Sequence, residues 1–282
     1  MYIEHLNEEI GAEVTGVDIR TSIDEETRAR LRAALCRYAV LVFRDQKIND
    51  AQQVAFSASF SPVEMTLPND PIGDGGPVGV IANVDEHGEI IPPQDPRMLY
   101  TLGNALWHSD GSFREVPLRV SLLAAKVVPP EGGETEFASL TAAYAALSGE
   151  RKAQLKGLSA EHSLAHSRAQ IAANLLSEAF LQETPPVVHP LVRSIPETGA
   201  SALLVGSYAT RVIGWPLEQG QELLQELLQW STQPRFVYRH SWRVGDLVVY
   251  DNRCALHRGR SWQREQYKRI LHRTTIAGDA VG

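Results

Sequence analysis

The chain has 282 residues, 43% of them hydrophobic, with a formal net charge of −7 and a pI near 5.7. This length and apolar content support a large core, and a β-barrel or sandwich of this size is commonly one domain, so a single domain over 1–282 is expected. Acids outnumber the scattered Lys and Arg, and no apolar run approaches ~18 residues, which excludes a nucleic-acid binder and a helical membrane span as readings.

The start, Met1-Tyr2-Ile3-Glu4-His5, shows neither a basic region nor an apolar one, so no signal peptide is expected. Residues 1–20 read as one or two strands around a turn. Ser22 and Glu25 form a capping box ahead of a helix over about 24–38, with Leu31, Ala34, Leu35 and Tyr38 on one face. Ala39-Val40-Leu41-Val42-Phe43 is a buried strand, and Asp50 opens a helix over about 50–60. The Pro- and Gly-rich stretch 66–77 is a loop, Val78 to Asn83 a strand, and the polar segment 85–105 a long loop of the kind that forms lids or binding surfaces. Leu118 to Val127 is a strand. Ser139 caps a helix over about 140–147, and helical character continues from Glu150 to Leu158 and around Ile171, Leu175, Leu176 and Ala179 until Pro185-Pro186. Strand signals return at Val187-Val188, Leu203 to Val205, Phe236 to Tyr238, Asp246 to Tyr250 and Arg269 to Ile276, interrupted by one helix over about 217–230. Short strands between Gly/Pro turns, with helices outside them, predict a mainly β fold with flanking helices, a barrel or a double-sheet jelly roll. Cys36 and Cys254 are far apart and few, which fits a reducing cytoplasm and buried thiols without a disulfide.

The chemistry concentrates at Leu106-Trp107-His108-Ser109-Asp110. In a strand, His108 and Asp110 share a face, and an imidazole with a carboxylate makes two thirds of the 2-His-1-carboxylate triad that holds non-heme Fe(II). His257, at the end of the strand that begins near Gly245 and just before Arg258-Gly259, is a candidate for the third ligand. His162 and His166 are a rival pair, spaced to share a helix face, but they lack the glutamate of a zinc-protease helix. An iron oxygenase also needs an organic acid, and a dicarboxylate needs a fixed cation beside a hydroxyl. Arg269 and Arg273, four residues apart, face the same side of a regular strand, either into a barrel or out to solvent on an edge. Thr135, after the Gly132-Gly133 turn, is a candidate hydroxyl.

Four motifs stand in order: His-x-Asp at 108–110, Gly-Gly-Glu-Thr at 132–135, Tyr-Asp-Asn-Arg ahead of His257, and Arg-x-x-x-Arg-x-Thr at 269–275. Together with Gly11-Ala12-Glu13-Val14-Thr15-Gly16-Val17-Asp18 and Leu41-Val42-Phe43-Arg44-Asp45-Gln46, they resemble the taurine and 2,4-dichlorophenoxyacetate dioxygenase family. The resemblance implies a double-stranded β-helix (jelly-roll) fold that uses Fe(II), 2-oxoglutarate and O₂. It implies His108, Asp110 and His257 as iron ligands, and Thr135 and Arg269 on the distal carboxylate of 2-oxoglutarate. Arg273, with Asn83, is assigned to the anionic prime substrate, or Arg273 shares the co-substrate pocket. No catalytic residue beyond the metal ligands is expected.

The segments Ile81-Ala82-Asn83-Val84, Asn104 to Asp110 and Val244 to Gly259 place the resemblance nearer the aryloxyalkanoate branch than the taurine branch. Residues 64–77 and 161–184, which are expected to shape the substrate pocket, depart from the pattern. The implied reaction hydroxylates a small anionic aryloxyalkanoate and splits its ether to a phenol and a 2-oxoacid. Three other readings stand beside it: a sulfonate or alkyl sulfate dioxygenase, a zinc-dependent hydrolase using the same ligands, and a non-catalytic jelly-roll binding protein. A cytoplasmic homo-oligomer is expected.

Overall fold

A computed structural model describes residues 1–278; residues 279–282, which the expected domain also spans, lie outside the described residues. Its largest sheet has eight strands. Its central run places Val40–Phe43 beside Leu247–Asp251, then Val120–Val127, then Ile270–Ile276, all antiparallel. Apolar runs dominate the first three of these strands because both faces are covered, while Ile270–Ile276 also carries His272, Arg273, Thr274 and Thr275.

Their period of two sorts the side chains into two cores. Leu41 and Phe43, Leu122 and Ala124, and Leu247 and Val249 point to one face, where Leu31, Ala34 and Leu35 of helix Glu25–Tyr38 and Phe56 of helix Asp50–Ala58 cover them. Val40 and Val42, Leu123 and Ala125, and Val248 and Tyr250 point to the other, where Phe137 packs on Tyr250 at 5.2 Å between ring centroids. Each fully buried Leu, Val or Phe of these layers stabilises the fold by about 1.5–3 kcal/mol.

Phe137 and Leu256 belong to a second sheet of three strands. Thr135–Ser139 lies in the middle, flanked by Val237–His240 and Ala255–Gly259. Its outer face carries one charged row: Glu136 stands in register with Arg239 on one side and Arg258 on the other, and bonds both, at 2.7 and 2.8 Å. Helices Leu140–Ala145 and Leu217–Ser231 pack beyond this sheet; the second buries Leu223, Leu224 and Leu227. The mainly β architecture with flanking helices is as expected, and no helix of the described residues is long and apolar enough to cross a membrane.

Several local expectations need correction. The first helix is capped by Asp24, whose side chain accepts from the Thr27 N–H, not by Ser22; the second is capped by Asn49, which forms the capping box with Gln52. The Asp or Asn nearest the helix wins because its oxygen reaches the free N–H groups of the first turn. The segment 85–105 is not loop throughout: Asp95 caps helix Pro96–Leu102, which continues into a 3₁₀ turn, Gly103–Ala105. A proline at the first helical position, after a capping aspartate, is a start signal that the polar composition masked. His162 and His166 share no helix: His162 ends strand Ser159–His162, and His166 lies in helix Leu164–Ala169.

Candidate active site

His108 and Asp110 do not lie on a strand. His108 makes a single antiparallel bridge to His257, with reciprocal backbone bonds of 3.0 and 2.8 Å, and the chain turns immediately afterwards. The bridge places the two imidazoles 4.1 Å apart between centroids, and the turn brings Asp110 back over them. Asp110 Oδ1 then stands 3.8 Å from His108 Nε2 and 3.9 Å from His257 Nε2. His257 sits within strand Ala255–Gly259, so it is carried by the second sheet and not by the end of the strand before it.

Neighbouring groups fix His108 and Asp110. His108 Nδ1 donates to the Leu106 carbonyl at 2.7 Å, which leaves Nε2 to present a lone pair. Asp110 Oδ2 accepts from Ser121 Oγ at 2.7 Å and from the Tyr250 hydroxyl at 2.8 Å, while the Asp110 N–H donates to Asn252 Oδ1 at 3.0 Å. Asn252 in turn donates to Ser121 Oγ at 2.9 Å. The central strands supply this support: Ser121 and Tyr250 are register partners there.

Burial lowers the His108 pKa to about 3 and depresses that of His257 as well. For Asp110, burial favours the neutral acid, but the Arg273 guanidinium and the Ser121 hydrogen bond help hold the carboxyl well below its usual range. The cluster thus offers two neutral imidazoles and one carboxylate, the protonation states that a divalent cation requires. Their ligand atoms all lie within 4.8 Å of one another, and among the described residues no other group of three His, Cys, Asp or Glu side chains converges in this way. His257 Nδ1 is buried with no hydrogen-bond partner. This donor set fits Fe(II) in a 2-His-1-carboxylate site with open positions.

One pocket joins this cluster to Asn83, Thr135, Arg269 and Arg273. Arg269 is 6% exposed, and no carboxylate of the described residues lies within salt-bridge distance of it. Its Nε donates to the Gly133 carbonyl at 3.1 Å, its Nη2 reaches Thr135 Oγ1 at 3.5 Å, and its guanidinium lies over the Trp262 ring. Burial lowers its pKa to about 10, which still leaves it charged at neutral pH. A buried guanidinium with no counter-anion is costly unless a ligand supplies one.

The Gly132-Gly133 turn makes room for this arrangement. Both residues have positive φ, and a Cβ on Gly132 would stand 2.6 Å from the Ser261 carbonyl, while one on Gly133 would crowd Arg269 at 3.2 Å.

Arg273 enters the pocket from the same side as Arg269 and donates to Asp110 Oδ1 at 3.1 Å, so neither arginine is a solvent-facing edge residue. Asn83 is at the pocket but has a different task from the one expected. Its Nδ2 donates to the carbonyls of Arg264 and Tyr267 at 2.7 and 2.9 Å, and its Oδ1 accepts the Arg269 N–H at 2.7 Å. With both donors spent on backbone, its amide anchors the start of the arginine strand and has no N–H left for a substrate. Sequence reasoning did not single out Tyr250, Ser121, Asn252, Trp242 or Trp262. Tyr250 and Asn252 stood inside a quoted motif, and their two-residue spacing at the end of the strand Leu247–Asp251 was the signal that could have assigned them.

The family model for taurine catabolism dioxygenase TauD, TfdA family matches residues 3–275. The alpha-ketoglutarate-dependent 2,4-dichlorophenoxyacetate dioxygenase of Cupriavidus pinatubonensis is 39% identical, over 96% of this chain and 95% of the relative. The (S)-phenoxypropionate/alpha-ketoglutarate-dioxygenase of Sphingobium herbicidovorans is 36% identical, over 98% and 95%. Among solved structures, AAD-2 in complex with Mn(II) and N-oxalylglycine superposes with a TM-score of 0.91 at 38% identity, covering 99% of this chain and 98% of that one. On both sequence and architecture, the chain belongs to the TauD/TfdA dioxygenase family.

Proposed function

We propose that this protein is an Fe(II)- and 2-oxoglutarate-dependent dioxygenase of small aryloxyalkanoate anions, hydroxylating the carbon beside the ether oxygen so that the product splits into a phenol and a 2-oxoacid. The observation that carries the reading is the meeting, in one pocket, of His108, Asp110 and His257 with the buried, carboxylate-free guanidinium of Arg269. The names of the relatives at 39% and 36% identity support the substrate class. A zinc hydrolase would use the same three ligands but leaves Arg269 and Thr135 without work.

When bound, Fe(II) with 2-oxoglutarate and O₂ supplies the oxidant, and the co-substrate leaves as succinate and CO₂. The chain's own residues bind, orient and shield. His108 and His257 present neutral nitrogens, and Ser121 and Tyr250 hold the second oxygen of Asp110 so that Oδ1 faces the histidines. Arg269 and Thr135 take the distal carboxylate by charge-assisted hydrogen bonds. Arg273 offers its remaining guanidinium donors to the carboxylate of the prime substrate, which sets the reacting carbon against the metal side of the pocket.

The two facing sheets form the double-stranded β-helix core, and the chain is one domain, a reading supported by the family match over residues 3–275. A cytoplasmic location is supported by the two free cysteines. Self-association, part of the same reading, is measured by sedimentation. A panel of phenoxyacetates, 2-phenoxypropionates, taurine and alkyl sulfates, followed by succinate release, tests the substrate class. Phenoxyalkanoates are expected to give the fastest turnover with phenol formed, and turnover confined to taurine or sulfate esters contradicts it.

A further inference from the structure

We propose that Trp242, which does not line the pocket itself, is a positioning residue that sets the polarity of the co-substrate site: its indole N–H turns the Thr135 hydroxyl into an obligatory donor. The inference rests on the assignment of 2-oxoglutarate to Arg269 and Thr135.

A hydroxyl has one proton and two acceptor sites. Thr135 Oγ1 receives the Trp242 Nε1–H at 3.0 Å and an Arg269 Nη2–H at 3.5 Å. The carbonyl of Gly133 is already taken by Arg269 Nε at 3.1 Å. No acceptor among the described residues receives the Thr135 proton, and Thr135 lines the pocket. With both acceptor sites facing donors, the proton is directed into the pocket. An indole can donate but never accept, so this polarity cannot reverse.

Trp242 is held where it must be. It follows the strand Val237–His240, in which His240 is the register partner of Thr135. The Trp242 ring stands edge-on to His240 at 4.5 Å. His240 is itself clamped between the Tyr238 hydroxyl at 3.0 Å and Asp246 Oδ2 at 3.1 Å, and the same Asp246 oxygen accepts from Arg44 at 2.6 Å. A chain of contacts therefore runs from Arg44 to the hydroxyl.

The chemical consequence is a pocket end built only of donors. It accepts a carboxylate and disfavours an amide of the same size, because one N–H would face a donor and stay unpaired. With Trp242 removed, the hydroxyl can rotate and accept.

The test is calorimetric titration of anaerobic, Fe(II)-loaded enzyme with 2-oxoglutarate and with its 5-amide. Trp242→Phe is expected to weaken 2-oxoglutarate about threefold to tenfold. It is also expected to reduce the preference for acid over amide, and in steady state to raise KM for 2-oxoglutarate more than it lowers kcat. In a Thr135→Val background the same substitution is expected to add nothing. Should Trp242→Phe fold poorly, Thr135→Ser and Thr135→Val answer the same question, since only the serine keeps a hydroxyl for Trp242 to orient and only it should retain the preference. An unchanged acid-to-amide ratio in Trp242→Phe, equal losses in both Thr135 backgrounds, or equal ratios for Thr135→Ser and Thr135→Val overturn the inference while leaving the co-substrate reading intact. A wild-type enzyme that binds no 2-oxoglutarate overturns both.

Discussion

Two pairs of buried histidines lie among the described residues, and their contrast shows what sets a candidate metal site apart. His108 and His257 stand 4.1 Å apart between ring centroids, with Asp110 Oδ1 reaching toward both. His162 and His189 stand 5.5 Å apart, with Arg193 as the charged neighbour and no carboxylate in salt-bridge contact among the described residues. Burial depresses the pKa of all four imidazoles. Low basicity and proximity are thus shared; what separates the pairs is the carboxylate and the pocket. At the first pair a cation would find neutral nitrogens and a negative oxygen. At the second it would find nitrogens beside another cation. Arg193 is tied to the carbonyls of Asn252 and Arg253, at 2.6 and 2.8 Å, the loop that also orients Asp110, so the second pair belongs to the scaffold of the first.

Breaking each pair should therefore have different outcomes. His108→Ala or His257→Ala is expected to abolish stoichiometric Fe(II) binding and lower succinate formation by more than ~100-fold, since altering even supporting groups around a metal typically costs 10–100-fold. His162→Gln is expected to leave the metal stoichiometry at one per chain. Equal metal loss in both variants would erase the distinction.

Next in size is Arg269→Ala. It removes the charged donors proposed for the distal carboxylate, and KM for 2-oxoglutarate should rise about tenfold to hundredfold while Fe(II) affinity stays near that of the parent. Initial rates across a range of 2-oxoglutarate concentrations, beside a metal titration, measure the split.

Tyr250→Phe sharpens the comparison within the first pair. It removes the 2.8 Å bond to Asp110 Oδ2 and keeps the ring packed on Phe137. Fe(II) affinity is expected to fall by about tenfold, read by competition with a chelator. An unchanged affinity would show that Ser121 and Arg273 suffice to orient the carboxylate.

The last prediction concerns pH. His162 is buried with neither ring nitrogen hydrogen-bonded, and burial lowers its pKa from 6.5 to about 3. The unfolded chain therefore binds a proton in that window and the folded one does not. Stability is expected to fall as pH drops from about 6.5 toward 3, with a slope of up to about 1.4 kcal/mol per pH unit from this residue. Denaturant titrations of His162→Gln along that range should show a shallower acid slope than the parent, and a superimposable slope would contradict the account.

The two pairs also mark what the sequence could and could not convey. His-x-Asp and the distant His257 were legible as candidate metal ligands because such ligands must be of these types and because a family motif surrounds them. The geometry was not: a two-residue spacing suggested a strand, whereas the chain uses one bridge and a turn, a tertiary pairing that local periodicity does not encode. The central strands were legible from their apolar runs, but the strand holding His257 was not, since Ala255–Gly259 carries polar residues that only its partner strand explains. Arg269 and Arg273 could be placed on one side but not inside, because burial of a charge depends on what the rest of the fold leaves for it. Asn83 shows the limit most plainly: its place at the pocket could be anticipated, but not that its amide is spent on backbone.

The central claim is that the His108–Asp110–His257 cluster and Arg269 serve one reaction, and one measurement tests it most directly. Enzyme reconstituted with Fe(II) is given phenoxyacetate, 2-oxoglutarate and O₂, and phenol, succinate and O₂ uptake are followed together. The account predicts near one-to-one formation of phenol and succinate with matching O₂ uptake, all lost on removal of the metal and in His108→Ala. Phenol release without 2-oxoglutarate or O₂, or full succinate formation by His108→Ala, would contradict it.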